Sequence, residues 1–214
     1  MLSTLTVTKQ PAAEPVTVQQ ARNHCRIDDA SDDELLEGYI KAARIMAEGY
    51  LSRVLITQTL LWTVRPQSNL HAERSHLWGP LTLPRAPVQS IASVIVLDER
   101  GNATAVSAAT LPIVPPAQFT GYIIDLALEP GRLRLGHMTA LIDGRTLNHA
   151  GLEYLQVSMI AGYGTHTTDV PETIRQAILL TTAFLYEHRG DAGGEMPKAA
   201  EWLLDRDRLQ FLGG

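Results

Sequence analysis

The stretch VSMIAGYGTHTTDVPETIRQAILLTTAFLYEHR, from Val157 to Arg189, constrains the fold more than any other part of the chain. It reads as a buried strand, a Gly-rich turn and a helix. Pro171 suits the first helical position, where the missing N–H costs nothing. Glu172 complements the positive helix end, and His188 and Arg189 fall in the last turn before Gly190. Ile174, Ala177, Ile178, Thr181 and Leu185 form a stripe, while Leu179, Leu180, Ala183 and Tyr186 put apolar surface on other faces. A helix apolar round most of its circumference is buried between several partners, so this segment is expected to be the central rod of a helical bundle.

From the N-terminus, MLSTLTVTKQPAAEP has no basic start followed by an apolar core, so no secretory signal is read and a mobile start is expected. Thr17-Val18-Gln19-Gln20 fits a capping box opening a short helix to about Arg26. Ser31-Asp32-Asp33-Glu34 fits a second. The helix that follows carries Leu36, Tyr39, Ile40, Ala43, Met46, Ala47 and Tyr50 at the spacing of a core-facing stripe, and should end near Leu51 to Arg53.

From Val54 the period changes to that of strands. ITQTLLWTV is rich in β-branched and aromatic residues, and LTLPRAPVQSIASVIVLDERGNATAV predicts a hairpin turning at Asp98 to Asn102. GYIIDLAL, GRLRLG and LEYLQVSMIAGYG add strands. Prolines at 84, 87, 112, 115, 116 and 130 argue for short, edge-type strands rather than one regular sheet. Arg65 to Gly79, with His71, His76 and Trp78, reads as an exposed polar loop. A last helix starts at Pro197 and runs through Trp202, Leu203 and Leu204 toward Phe211.

Helices flanking a run of strands define an α+β fold: a bundle formed by the N- and C-terminal helices, carrying a β-rich insertion. The expected division is 1–53 for the first helices, 54–165 for the insertion and 166–214 for the helices that complete the bundle.

The formal net charge of −5 and the lack of any basic run argue against a primary nucleic-acid binder. No run of about 18 apolar residues is present to span a bilayer. A lone cysteine, Cys25, excludes an intrachain disulfide framework and a Cys-based zinc site, and it falls on the apolar stripe Val18, Ala21, Cys25, where a core role is preferred to a reactive thiol. The sequence holds no G-x-S-x-G, H-E-x-x-H, P-loop or kinase set. Gly162-Tyr163-Gly164 lacks the third glycine of a dinucleotide fingerprint and reads as a turn. His71 and His76 match no zinc spacing. The acidic run Asp28, Asp29, Asp32, Asp33, Glu34 is the best cation candidate but lacks EF-hand spacing, so helix capping is preferred. Arg189-Gly190-Asp191 is read as a chance tripeptide. No catalytic residue, cofactor or metal is expected; the alternative is a small α+β enzyme or ligand-binding protein with a site in Arg65–Gly79 or near Gly162.

The ordered series EPVTVQQARNHCRID, DDELLEGYIKAARIMAEGYLSRVLITQT, LTLPRAPVQSIASVIVLDERG, VSMIAGYG, VPETIRQAILLTTAFLYEHRG and PKAAEWLLDRDR resembles the head–tail connector, or adaptor, family of long-tailed phages, prophages and gene transfer particles. The resemblance covers most of Glu14 to Arg208; Arg65 to Gly79, Leu111 to Ala150 and the charged Asp205-Arg206-Asp207-Arg208 depart from it. It implies a structural subunit at the head–tail junction, assembled in the bacterial cytoplasm. Its partners are itself in a ring of about twelve, the portal protein and the next tail-proximal or stopper protein. Double-stranded DNA only passes through, and no membrane is involved. About twelve copies at −5 each carry about −60, a field that opposes retention of a duplex bearing one phosphate per roughly 1.7 Å. The resemblance also implies a portal contact at the chain's C-terminal end, expected at Trp202, Leu203, Asp205, Arg206, Arg208, Leu209, Phe211 and Leu212, whose aromatic and aliphatic anchors beside charge suit an interface.

Overall fold

In the computed structural model the described residues are 2–65, 80–98, 100–109, 121–135, 141–142, 145–146, 152–189 and 195–209. They form antiparallel sheets and four α-helices, the mixed α+β architecture expected. Two compact units result: Gln10–Gln58 with Arg85–Pro87 and Gly162–Gly214, and Met1–Lys9 with Thr59–Pro84 and Val88–Ala161.

In the helical unit, α1 (Val18–Cys25) opens on the predicted capping box: Gln20 N–H donates to Thr17 Oγ1 at 3.2 Å, and Thr17 N–H donates to Gln20 Oε1 at 2.8 Å. The second box does not form. α2 (Asp33–Leu51) has Asp32 as its N-cap with no side-chain capping bond. Ser31 N–H and hydroxyl turn back to Asp29 Oδ1 instead. The Asp32 carboxylate accepts from the Tyr186 hydroxyl at 2.5 Å, tying the start of α2 to the last turn of the helix that spans Glu172–Glu187. α2 stops where predicted, with Ser52 at φ 56.

α3 (Glu172–Glu187) begins one residue later than expected, because Pro171 is extended at ψ 140 and serves as the N-cap. Its Ile174, Ala177, Ile178 and Thr181 are buried, whereas Leu179 and Leu180 are half-buried and pack against the core. α4 (Lys198–Leu204) runs into a 3-10 turn at Asp205–Asp207. Leu36, Ile40, Leu51, Ile174, Ile178, Ala200 and Leu204 share one apolar core with Leu55 and Ile56. Each large aliphatic side chain removed from water there contributes about 1.5–3 kcal/mol.

In the other unit, β1 (Leu2–Lys9), β2 (Gln58–Arg65), β10 (Leu152–Ala161), β4 (Val88–Asp98) and β5 (Ala103–Val106) form a five-stranded sheet in that order. The start read as mobile is instead an edge strand, pairing Leu5 with Trp62 and Val7 with Leu60. Residues 2–9 therefore group with the strands and not with the first helices. These strands reach 8 to 11 residues in β1, β2 and β4, longer than expected, whereas strands of 2 to 4 residues lie near Pro84 and Pro130, as expected. β2 buries Gln58, Leu60, Trp62 and Val64 in strict alternation. Across the β10 and β4 pair, Leu155 faces Val96 and Val157 faces Val94, all four buried.

The predicted hairpin turn is held by Asp98, whose Oδ1 accepts from Arg100 N–H at 2.9 Å and Asn102 N–H at 2.8 Å, with Gly101 at φ 81. β3 (Leu81–Thr82), β7 (Arg132–Leu135) and β6 (Tyr122–Asp125) form a second sheet, and β8 (Leu141–Ile142) pairs with β9 (Arg145–Thr146).

Candidate functional site

α4 and the turn after it are fastened to the helical unit along one side. Ala200 and Leu204 are fully buried and Leu203 packs partly on the core. Tyr50 donates its hydroxyl hydrogen to Asp205, and the Arg208 guanidinium lies 4.7 Å from the Tyr50 ring centroid. Arg53 Nε donates to the Asp207 carbonyl at 2.6 Å, and Leu209 N–H donates to the Leu51 carbonyl at 3.0 Å. The hydrogen bond to Asp205 is the main cause of the raised Tyr50 pKa.

Several residues of the expected portal contact face outward. Trp202 is 77% exposed, Asp205, Arg206 and Arg208 are exposed, and Leu209 is half-buried. Phe211 and Leu212 lie outside the described residues. α4 thus closes the bundle with one side and presents Trp202 and charge on the other.

A polar cluster that sequence reasoning missed lies within the same unit. Arg44, 2% exposed, is bonded by Nε to Glu14 at 2.6 Å and by Nη1 to Glu48 at 2.9 Å. Glu48 Oε1 also accepts from Leu55 N–H at 3.0 Å and Gln58 Nε2 at 3.1 Å. Burial pushes the Glu48 carboxyl above its ordinary value despite these bonds. An arginine inside the stripe Ile40, Ala43, Ala47, four residues before a glutamate, was the available signal.

The remaining candidates resolve into structural roles. Gly162 sits at φ 133, and a Cβ there would meet Thr57 N at 2.6 Å and Ile56 C at 2.7 Å; Gly164 closes in the same way on Asp169. Gly162 N–H donates to the Pro87 carbonyl, Tyr163 N–H to Leu55 and Thr57 N–H to Gly164. Gly162–Gly164 is thus a tight crossing in which Gly162 lies against the Ile56–Thr57 backbone and Gly164 against the Asp169 side chain. Among the acids near the start of α2, Asp33 pairs with Arg22 at 3.1 Å, without hydrogen-bond alignment, and Ser31 hydrogen bonds hold the Asp29 carboxyl below its usual range. Cys25 is half-buried, and burial followed by the nearby Glu187 charge raises its thiol pKa, which disfavours the thiolate. Among the described residues no group of His, Cys, Asp and Glu is placed to hold a metal, and no helix is long and apolar enough to cross a membrane. His71, His76 and Trp78, with the rest of 66–79, lie outside the described residues, as do Gly190 and Asp191.

The helical unit thus presents an exposed aromatic and charge at its surface. Residues 15–100 match the family model of the phage gp6-like head-tail connector protein, which bears out the resemblance drawn from the sequence. In solved structures the chain is similar over its whole length to a chain from the neck of a native gene transfer agent (GTA) particle computed with C12 symmetry. That match has 25% identity, a TM-score of 0.63 and coverage of 100% of this chain and 99% of that one. A chain from the virion of the native GTA particle matches at 25% identity and TM-score 0.66, covering 98% of each. A neck chain of the empty particle, computed with C6 symmetry, shares the fold at 23% identity and TM-score 0.66, covering 99% and 98%. No curated protein sequence matches. The family and these structures are those of structural connector and neck proteins, not enzymes, and they support a structural connector role here.

Proposed function

We propose that this chain is the subunit of a connector ring at the head–tail junction of a phage or phage-like particle. About twelve copies sit below the portal, extend the channel through which DNA passes, and present a surface to the next tail-proximal protein. The observation that carries this reading is the likeness, over essentially the full chain, to a neck subunit of C12 symmetry. The net charge of −5 per chain fits a conduit that releases DNA.

The portal contact is assigned to the chain's C-terminal end, from Trp202 through Asp205, Arg206, Arg208 and Leu209 to Phe211 and Leu212. Because Ala200 and Leu204 belong to the core, removal of everything after Glu195 would unfold the bundle and test nothing about docking. A chain ending at Leu209 is the informative variant. It should fold and melt like the parent but fail to bind portal-bearing heads, leaving filled heads without tails. Normal attachment of that chain would remove Phe211 and Leu212 from the portal contact, and normal attachment of a second variant, Arg208→Glu with Leu209→Ala, would overturn the assignment.

A further inference from the structure

Trp202 is the most exposed large apolar side chain among the described residues. Arg206, in the turn that follows, is also exposed, while Lys198, one turn before the indole, pairs with Glu201 at 3.0 Å. The same helical unit carries a cavity of about 380 Å³ between the segment preceding α1 and the middle of α2. Ala13, Val16 and Val18 give it apolar walls; Glu14 is bonded to Arg44, which leaves exposed Glu37, beside Lys41, as the carboxylate at its rim.

Knob and hole lie on different flanks of α2. Tyr50 marks the α4 side through its bond to Asp205, and Glu37 marks the cavity side. Thirteen residues at about 100° each place these two roughly 140° apart around the helix. An exposed apolar side chain and a complementary pocket elsewhere on the same surface make a head-to-tail contact, which closes into a ring if the rotation permits.

We propose that Trp202 of one copy enters the Glu14–Glu37 cavity of the next, with Arg206 facing Glu37, and that this contact builds the ring. The inference rests on the ring reading above and narrows it: the portal contact then falls to the residues beyond Arg206. An aromatic anchor in a desolvated pocket ringed by charge is the composition of an interface hot spot.

Trp202→Ala leaves the core untouched and should fold normally, while the concentration needed for ring assembly rises at least about thirty-fold, the loss associated with a hot-spot residue. Glu37→Arg and Arg206→Glu, both at exposed positions, should each weaken assembly, and the double variant should recover it. Mass measurements across concentration, alone and on portal-bearing heads, read all four proteins. Wild-type assembly by Trp202→Ala overturns the proposal, and if that variant also fails to join heads, Trp202 returns to the portal contact. No recovery in the double variant also counts against it. A wild-type chain that stays monomeric in both settings removes the ring reading itself.

Discussion

Tyr50, in the last turn of α2, donates its hydroxyl hydrogen to Asp205, the residue directly after α4. The bond spans 155 positions of sequence and fastens the outer end of the chain to the longest helix. Tyr50→Phe should therefore speed amide exchange over 198–209 and leave exchange in the centres of α2 and α3 unchanged. Equal exchange in the two proteins would mean that Ala200 and Leu204 hold α4 without help.

The core of the helical unit should respond to position along α3. Ile178 is fully buried, and Ile178→Asp strands a carboxylate there at a cost of several kcal/mol, against typical stabilities of about 5–15. Soluble folded protein should be lost. Leu180 is half-buried, so Leu180→Asp should lower the melting temperature and still yield folded protein. Thermal melts of both variants check the order.

The Arg44 cluster makes stability depend on pH. The Glu48 carboxyl is raised above 4.5 in the folded state, so its contribution is full below that value and is lost as pH rises through the raised one. Denaturant midpoints of the parent should fall across that window relative to those of Glu48→Gln, which cannot titrate. Arg44→Ala leaves Glu48 buried without its cation and should cost about 3–5 kcal/mol. Parallel pH profiles for parent and Glu48→Gln would contradict the assignment.

Two glycines should respond to alanine with opposite sign. At Gly162 the positive φ and backbone atoms within 2.7 Å of a new Cβ predict a loss of about 1–3 kcal/mol. At Gly49, inside α2 with nothing within 4 Å, alanine should stabilise by about 1 kcal/mol. Urea unfolding of the two variants reads both signs.

Much of this was legible in the sequence because the signals were local. The Thr17 capping box, the Asp98–Asn102 turn, the alternation of β2 and the apolar stripes of α2 and α3 each depend on residues within one element. Features set by distant partners were not legible. Leu2–Lys9 is polar enough to read as a tail until β2 supplies its ladder, and Asp32 meets Tyr186 only across the fold. The Ser31 box, by contrast, fails locally, because Ser31 turns back to Asp29. Arg44 lies within an apolar stripe and gains Glu14 as a partner only through the fold. At the candidate site, the sequence suggested surplus apolar surface near the C-terminus but not its division, with Leu204 inward and Trp202 outward. The cavity by Glu37 left no trace in the sequence, since its walls come from segments that only the fold brings together.

The ring is the central claim, and the mass of the intact chain tests it most directly, measured over a range of concentrations and again on portal-bearing heads. The account predicts a closed assembly whose mass is a whole multiple, about twelve, of the 23.4 kDa chain. A species that remains at 23.4 kDa in both settings would contradict it.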